Sequence, residues 1–107
     1  MTTPAGPTVL DVPERSRFEI HSDGRLAGFA QYRMKDAGLI VFTHTEIDDA
    51  VEGRGFGSTL VRAALDAARA RNLAVRPDCP FVRGYITRHP GDYLDLVPEE
   101  LRPRLGL

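Results

Sequence analysis

Ile47-Asp48-Asp49-Ala50-Val51-Glu52-Gly53-Arg54-Gly55-Phe56-Gly57-Ser58 is the stretch whose reading decides the fold. Ahead of it, Leu39 to Ile47 is rich in β-branched and aromatic residues and reads as a strand. Behind it, Leu60, Val61, Ala64, Leu65 and Ala68 recur at helical spacing while Arg62, Asp66 and Arg69 fall elsewhere, which predicts an amphipathic helix from Gly57 to Arg71. Three alternate glycines at this junction let the backbone turn sharply. They also present consecutive N–H groups at a helix start, where the dipole adds partial positive charge. Such a turn can bind phosphate without lysine, or it can be no more than a tight connection. A nucleotide P-loop needs a lysine directly after its last glycine, and the only lysine here is Lys35. A dinucleotide fingerprint needs Gly-x-Gly-x-x-Gly inside a parallel βαβ unit near the start of its domain, whereas antiparallel strands lead into this turn.

Those strands emerge on working outward. Phe18 and Ile20 alternate with polar residues, Asp23-Gly24 has the chemistry of a tight hairpin, and Leu26 to Met34 continues as a strand. Lys35-Asp36-Ala37-Gly38 is the next turn, so three sequential strands form a meander. On the other side, Asn72 suits a left-handed helix end, and Leu73-Ala74-Val75 re-enters the sheet parallel to the third strand before Pro77 stops it. Phe81, Val82, Tyr85 and Ile86 are spaced as a short helix, ended by His89-Pro90-Gly91. Tyr93 to Val97 reads as either a helical turn or a short strand, and the remainder is polar. Residues 1–15, with Pro4, Pro7 and Pro13, read as a flexible arm that can add an edge strand near Val9 to Val12; residues 16–107 read as a single domain. The expected class is α+β: a mostly antiparallel sheet of four or five strands with one long and one short helix.

Composition narrows the partners. Across 107 residues the net charge is −1, and like charges do not cluster into a basic stripe, which argues against nucleic acid. The longest apolar run, Leu39-Ile40-Val41-Phe42, is far short of the roughly 20 residues that cross a bilayer. The opening residues carry neither a basic start nor an apolar run, so no secretory signal is expected, and the lone cysteine makes cytoplasmic residence the expectation. Cys79 is the single cysteine, which excludes an internal disulfide and a zinc site of paired cysteines. Asp48 and Asp49, adjacent and pointing apart, make a poor cation cage, and no metal is expected.

The stretch Glu52-Gly53-Arg54-Gly55-Phe56-Gly57, with a strand before it, a helix after it and a meander leading in, resembles the pyrophosphate motif of the GNAT superfamily of acyl-CoA N-acyltransferases. The resemblance covers about residues 16–90. The His44-Thr45-Glu46 ahead of the turn and the Pro77-Asp78-Cys79-Pro80-Phe81-Val82 after it look like the minimal, single-domain branch of that superfamily. One departure is Glu52, where the family usually carries Arg or Gln. The resemblance implies a splayed sheet, acetyl-CoA as cosubstrate, and cofactor contacts from Gly53, Arg54, Gly55, Phe56, Gly57 and Ser58. It further implies that the backbone N–H of Ile47 meets the thioester carbonyl and that Tyr85 protonates the departing thiolate.

Acyl transfer to an amine needs a neutral nucleophile, donors for the carbonyl oxygen and a proton for the leaving sulfur. Cys79 follows the strand expected to splay from Ile47, and it is a candidate nucleophile or thiol acid; equally, it is a buried small residue. His44 is a candidate base with a pKa suited to neutral pH, and Glu46 alternates onto the same face; a solvated strand face explains both as well. Tyr85 has core packing as its alternative. The reading is an N-acetyltransferase that moves an acetyl group from acetyl-CoA to an amine of a small molecule or protein. Its rivals are a non-catalytic CoA-binding module that regulates a partner, and a structural domain that lacks CoA binding.

Overall fold

The computed structural model describes residues 6–107. Five strands form one sheet in sequence order: β1 (Thr8–Val12), β2 (Arg17–Ser22), β3 (Arg25–Lys35), β4 (Leu39–Ile47) and β5 (Ala74–Pro77). The first three pairings are antiparallel and the last is parallel, so the class is α+β with a mostly antiparallel sheet. The β2–β3 hairpin turns at Asp23 and Gly24, both at positive φ, as a tight mirror-image turn requires. Part of the 1–15 segment lies in the sheet: β1 pairs along its whole length with β2, and Asp11 accepts hydrogen bonds from the Tyr32 hydroxyl and from Arg71, each at 2.6 Å. Met1 to Ala5, the rest of that expected arm, lie outside the described residues.

Helix α1 (Phe56–Ala70) begins one residue earlier than its apolar spacing predicts, because Phe56 belongs to its buried stripe together with Leu60, Val61, Ala64, Leu65 and Ala68. That stripe joins Phe18, Ile20, Ala30, Ile40, Phe42 and Val75 of the sheet in one core. Asn72 ends the helix at φ 56°, and the Leu73 amide reaches back to the Ala68 carbonyl at 2.9 Å, the long closing bond of a left-handed helix terminus. Strand β5 then pairs only with Leu39 to Phe42. Beyond Phe42 the two strands part, because the Cys79 amide turns in to the Phe42 carbonyl at 2.9 Å and Pro80 starts α2 (Pro80–Arg88).

The C-terminal segment is more ordered than its polarity predicts. Helical turns replace the alternative of a strand: α3 (Pro90–Tyr93), a 3-10 turn at Leu94–Leu96, another at Glu99–Leu101, and α4 (Arg102–Leu105). Tyr93, Leu96 and Val97 are buried. The Tyr93 hydroxyl donates to Asp66 of α1 at 2.8 Å, and Arg69 reaches both Asp95 oxygens and the Asp92 carbonyl. These contacts join residues more than twenty positions apart, so no local pattern in the sequence announces them.

Candidate functional site

At the parting of β4 and β5, β4 keeps one bonded edge. The Asp48 amide donates to the Ala27 carbonyl at 2.8 Å, so alternation turns the amides of Glu46 and His44 toward β3 as well. The amides of Thr45 and Ile47 therefore face the opened edge. Gly28 opposes Ile47, and a Cβ there would sit 2.6 Å from Ile47 Cδ1; the missing side chain lets Ile47 fold back over β3.

Across the opening stands the glycine turn. Asp48 caps a short 3-10 turn, Asp49–Val51, by accepting from the Ala50 amide at 3.0 Å. The chain then passes Gly53 (φ 81°) and Gly55 (φ 77°), left-handed positions that favour glycine. Gly55 is the N-cap of α1 and brings no side chain to close the helix end; Thr59 is where the intrahelical ladder starts, bonding to the Gly55 carbonyl at 3.1 Å. The Gly57 and Ser58 amides thus have no intrahelical partner and stand at the positive end of the dipole. Ile47, Val51, Glu52, Gly53, Gly55, Phe56, Gly57, Ser58 and Phe81 line an open groove of about 420 Å³ at this end. Every cofactor-contact residue expected from the sequence except Arg54 borders it. Arg54 instead lies over the Phe56 ring, 5.2 Å from its centre, and that ring is itself buried in the core. Dimensions, free amides and the tolerance for close approach at Gly53 and Gly55 fit a pyrophosphate on the turn; the Glu52 carboxylate is the one unfavourable group.

The four candidate catalytic residues do not come together. Cys79 is buried, 3% exposed, with Sγ 3.4 Å from the Thr45 hydroxyl. Its position is set by the corner before it, where Arg76 grips both Asp78 oxygens at 2.9 Å and holds that carboxyl below its ordinary pKa. His44 and Glu46 do share a face, with Nε2 and Oε1 3.7 Å apart and side chains 54% and 61% exposed, but alternation puts that face opposite Thr45 and Cys79. There His44 meets the edge of Phe29, ring centres 6.2 Å apart. Glu46 lines a second groove with Ala27, Gly28, Phe29, Asp48 and Asp49, and Ile47 borders both grooves. Tyr85 is buried between His89 and Tyr93, ring centres 4.4 and 5.8 Å away, and is not a wall of the groove.

Two residues escaped the sequence reading. Thr45 was legible by period-two alternation from Ile47, but its contact is with a residue 34 positions on. Phe81 counts toward the apolar spacing of α2, yet the buried stripe is Val82, Tyr85 and Ile86, and Phe81 stands outside it, 41% exposed. Among the described residues, no group of three or more His, Cys, Asp or Glu side chains is placed to hold a metal ion.

Residues 17–96 match the family model for GCN5-related N-acetyl-transferase. Among characterised sequences the chain is similar to Protein NATD1 of Mus musculus, 33% identical over 65 residues that make up 61% of this chain and 56% of that protein. Protein NATD1 of Homo sapiens is likewise 33% identical, over 61% of this chain and 55% of its own length. The match thus spans about half the length of these relatives. Among solved structures, a GCN5-like N-acetyltransferase described as putative, from Staphylococcus aureus, superposes with a TM-score of 0.62 at 24% identity, covering 85% of this chain and 87% of that one. Ard1 from Thermoplasma volcanium superposes with a TM-score of 0.52 at 24% identity, over 58% of this chain and 43% of its own. At such identities the likeness is one of fold.

Proposed function

Because the chain belongs to the GCN5-related N-acetyltransferase family, we propose that it transfers an acetyl group from acetyl-CoA to an amine, with the donor in the groove between the glycine turn and the opened edge of β4. The observation that carries this reading is the groove itself, which runs from free helix-start amides to the unpaired edge at Ile47. Acetyl-CoA supplies an acyl carbon already activated as a thioester. On the protein side, the Gly57 and Ser58 amides hold the pyrophosphate, with Gly53 and Gly55 permitting close approach. The Ile47 amide donates to the thioester carbonyl oxygen, where negative charge develops as the amine attacks.

Two routes for the acetyl group fit these residues. In direct attack, the amine nitrogen bonds to the acetyl carbon, the carbon–sulfur bond breaks, and the proton lost by nitrogen balances the one gained by the departing sulfur. His44 and Glu46 then take the amine's proton from the open side of the sheet. In the covalent route the Cys79 sulfur accepts the acetyl group, its own proton passing to the leaving sulfur, and the amine attacks the acetyl-cysteine in a second step. Tyr85, enclosed by His89 and Tyr93, is better read as packing in both.

The separation of His44 and Glu46 from Cys79 favours a second reading, a module that binds acyl-CoA without turning it over. Glu52 beside the turn points the same way. A thermal shift with acetyl-CoA tests binding, since ligand at a hundred times Kd adds about 2.7 kcal/mol to the folded state. No shift defeats both readings. A shift without free CoA released in the presence of a panel of primary amines leaves the binding module.

A further inference from the structure

Phe81 is a large apolar side chain in an unusual position. It lies on the first turn of α2, two residues past Cys79, turned away from the helix's buried stripe and 41% exposed. Its ring is nonetheless held against Gly57: a Cβ on that glycine would sit 2.4 Å from the ring's Cζ, so the ring occupies the space a side chain would take. The backbone beneath it is fixed twice, by Pro80 at the helix start and by the Cys79 amide on the Phe42 carbonyl. Phe81 therefore borders the groove that opens at the glycine turn. Its other walls include the helix-start glycines Gly55 and Gly57 and, at the parted edge of β4, Ile47.

A ligand that reaches from the helix-start amides to Ile47 shares this groove with the ring. We propose that Phe81 is the specificity residue of the groove, selecting a nucleotide that carries a flexible arm with methyl and methylene groups over the bare nucleotide. The inference rests on the acyl-CoA reading above. A phosphate on the glycine turn gains nothing from an aromatic ring, whereas an extended arm laid across an exposed ring removes apolar surface of both from water. Ile47, its side chain lying against Gly28, is a second apolar wall of the same groove.

The test compares two probes by calorimetric titration: acetyl-CoA, and 3′-phospho-ADP, which keeps the pyrophosphate and lacks the arm. Phe81→Ala is expected to raise the Kd of acetyl-CoA at least tenfold while leaving that of 3′-phospho-ADP within twofold. Since the chain has no tryptophan, Phe81→Trp adds a direct readout, with indole emission expected to shift under saturating acetyl-CoA. An alanine variant that loses both ligands equally, or neither, overturns the inference. A Phe81→Trp protein that binds acetyl-CoA without a change in emission overturns it independently. Wild-type protein that binds neither probe removes the acyl-CoA reading and this inference with it, whereas tight binding to wild type and Phe81→Ala alike removes the inference alone.

Discussion

Gly57→Ala tests the proposed binding role of the glycine turn apart from its structural one. The added Cβ would meet Cζ of Phe81 at 2.4 Å and Cε1 and Cε2 at 3.1 and 3.2 Å. Carbon atoms rest at about 3.5–4.0 Å, so the ring must retreat by roughly 1 Å. Gly57 is the second residue of α1, where alanine gains about 0.5–1 kcal/mol over glycine. Against that stands the displaced ring, which is partly exposed and costs less than the 1–3 kcal/mol typical of an overfilled core. Stability should therefore change by less than about 1 kcal/mol in a urea melt. Binding should suffer more, because the methyl narrows the groove and the ring that borders it has moved. Acetyl-CoA affinity is expected to fall about tenfold, or 1.4 kcal/mol, by calorimetric titration. Gly55→Ala is the control of opposite kind. No atom crowds it, but φ 77° costs an L-residue about 1–2 kcal/mol, so its stability loss should exceed that of Gly57→Ala. A folded Gly57→Ala protein with Kd unchanged within twofold would refute the placement of the ligand against this turn. A stability loss above about 3 kcal/mol would show that the ring contact is structural.

Glu52→Arg should tighten acetyl-CoA binding by no more than about 1 kcal/mol, with the gain vanishing in high salt, because the position is exposed and screened; weaker binding would mean that Glu52 does not face the phosphates. If Cys79 carries the acetyl group, intact mass after incubation with acetyl-CoA shows one added acetyl that hydroxylamine removes, and Cys79→Ser loses both label and turnover. Cys79→Ala with full turnover and a stability cost of about 1 kcal/mol would leave direct attack as the route. Burial first, and the Asp11 carboxylate second, push the Tyr32 phenol up to about 12 from 10.0. Its protonated form thus contributes stability that is whole below pH 10 and is lost as pH rises through 12. Wild type should lose about 3 kcal/mol over that window that Tyr32→Phe does not, and superimposable alkaline melts would refute the assignment.

Local rules made much of the fold legible. The meander and α1 follow from patterns within one element: alternation at Phe18 and Ile20, Asp23-Gly24 at a hairpin, and an apolar stripe of period 3.6 from Leu60 to Ala68. The glycine turn was legible for the same reason, since Gly53 and Gly55 answer a backbone demand that acts on the residue itself. The C-terminal turns were less so. Arg69, Asp66 and Asp95 are surface charges whose partners appear only when the tail folds across α1.

The sequence by itself determined the three-strand meander, the long helix and the glycine turn, because each is specified by neighbours along the chain. Tertiary structure alone decided which functional candidates meet. Alternation told that His44 and Glu46 share a face, but only the closing of α2 onto β4 put Cys79 with Thr45 on the other one. The same docking left Phe81 outside the core, resting on a glycine 24 positions earlier in the chain. Contacts of that kind depend on where two elements cross, and the crossing is fixed by the packing of α1 and α2 on the sheet rather than by any residue's own propensity.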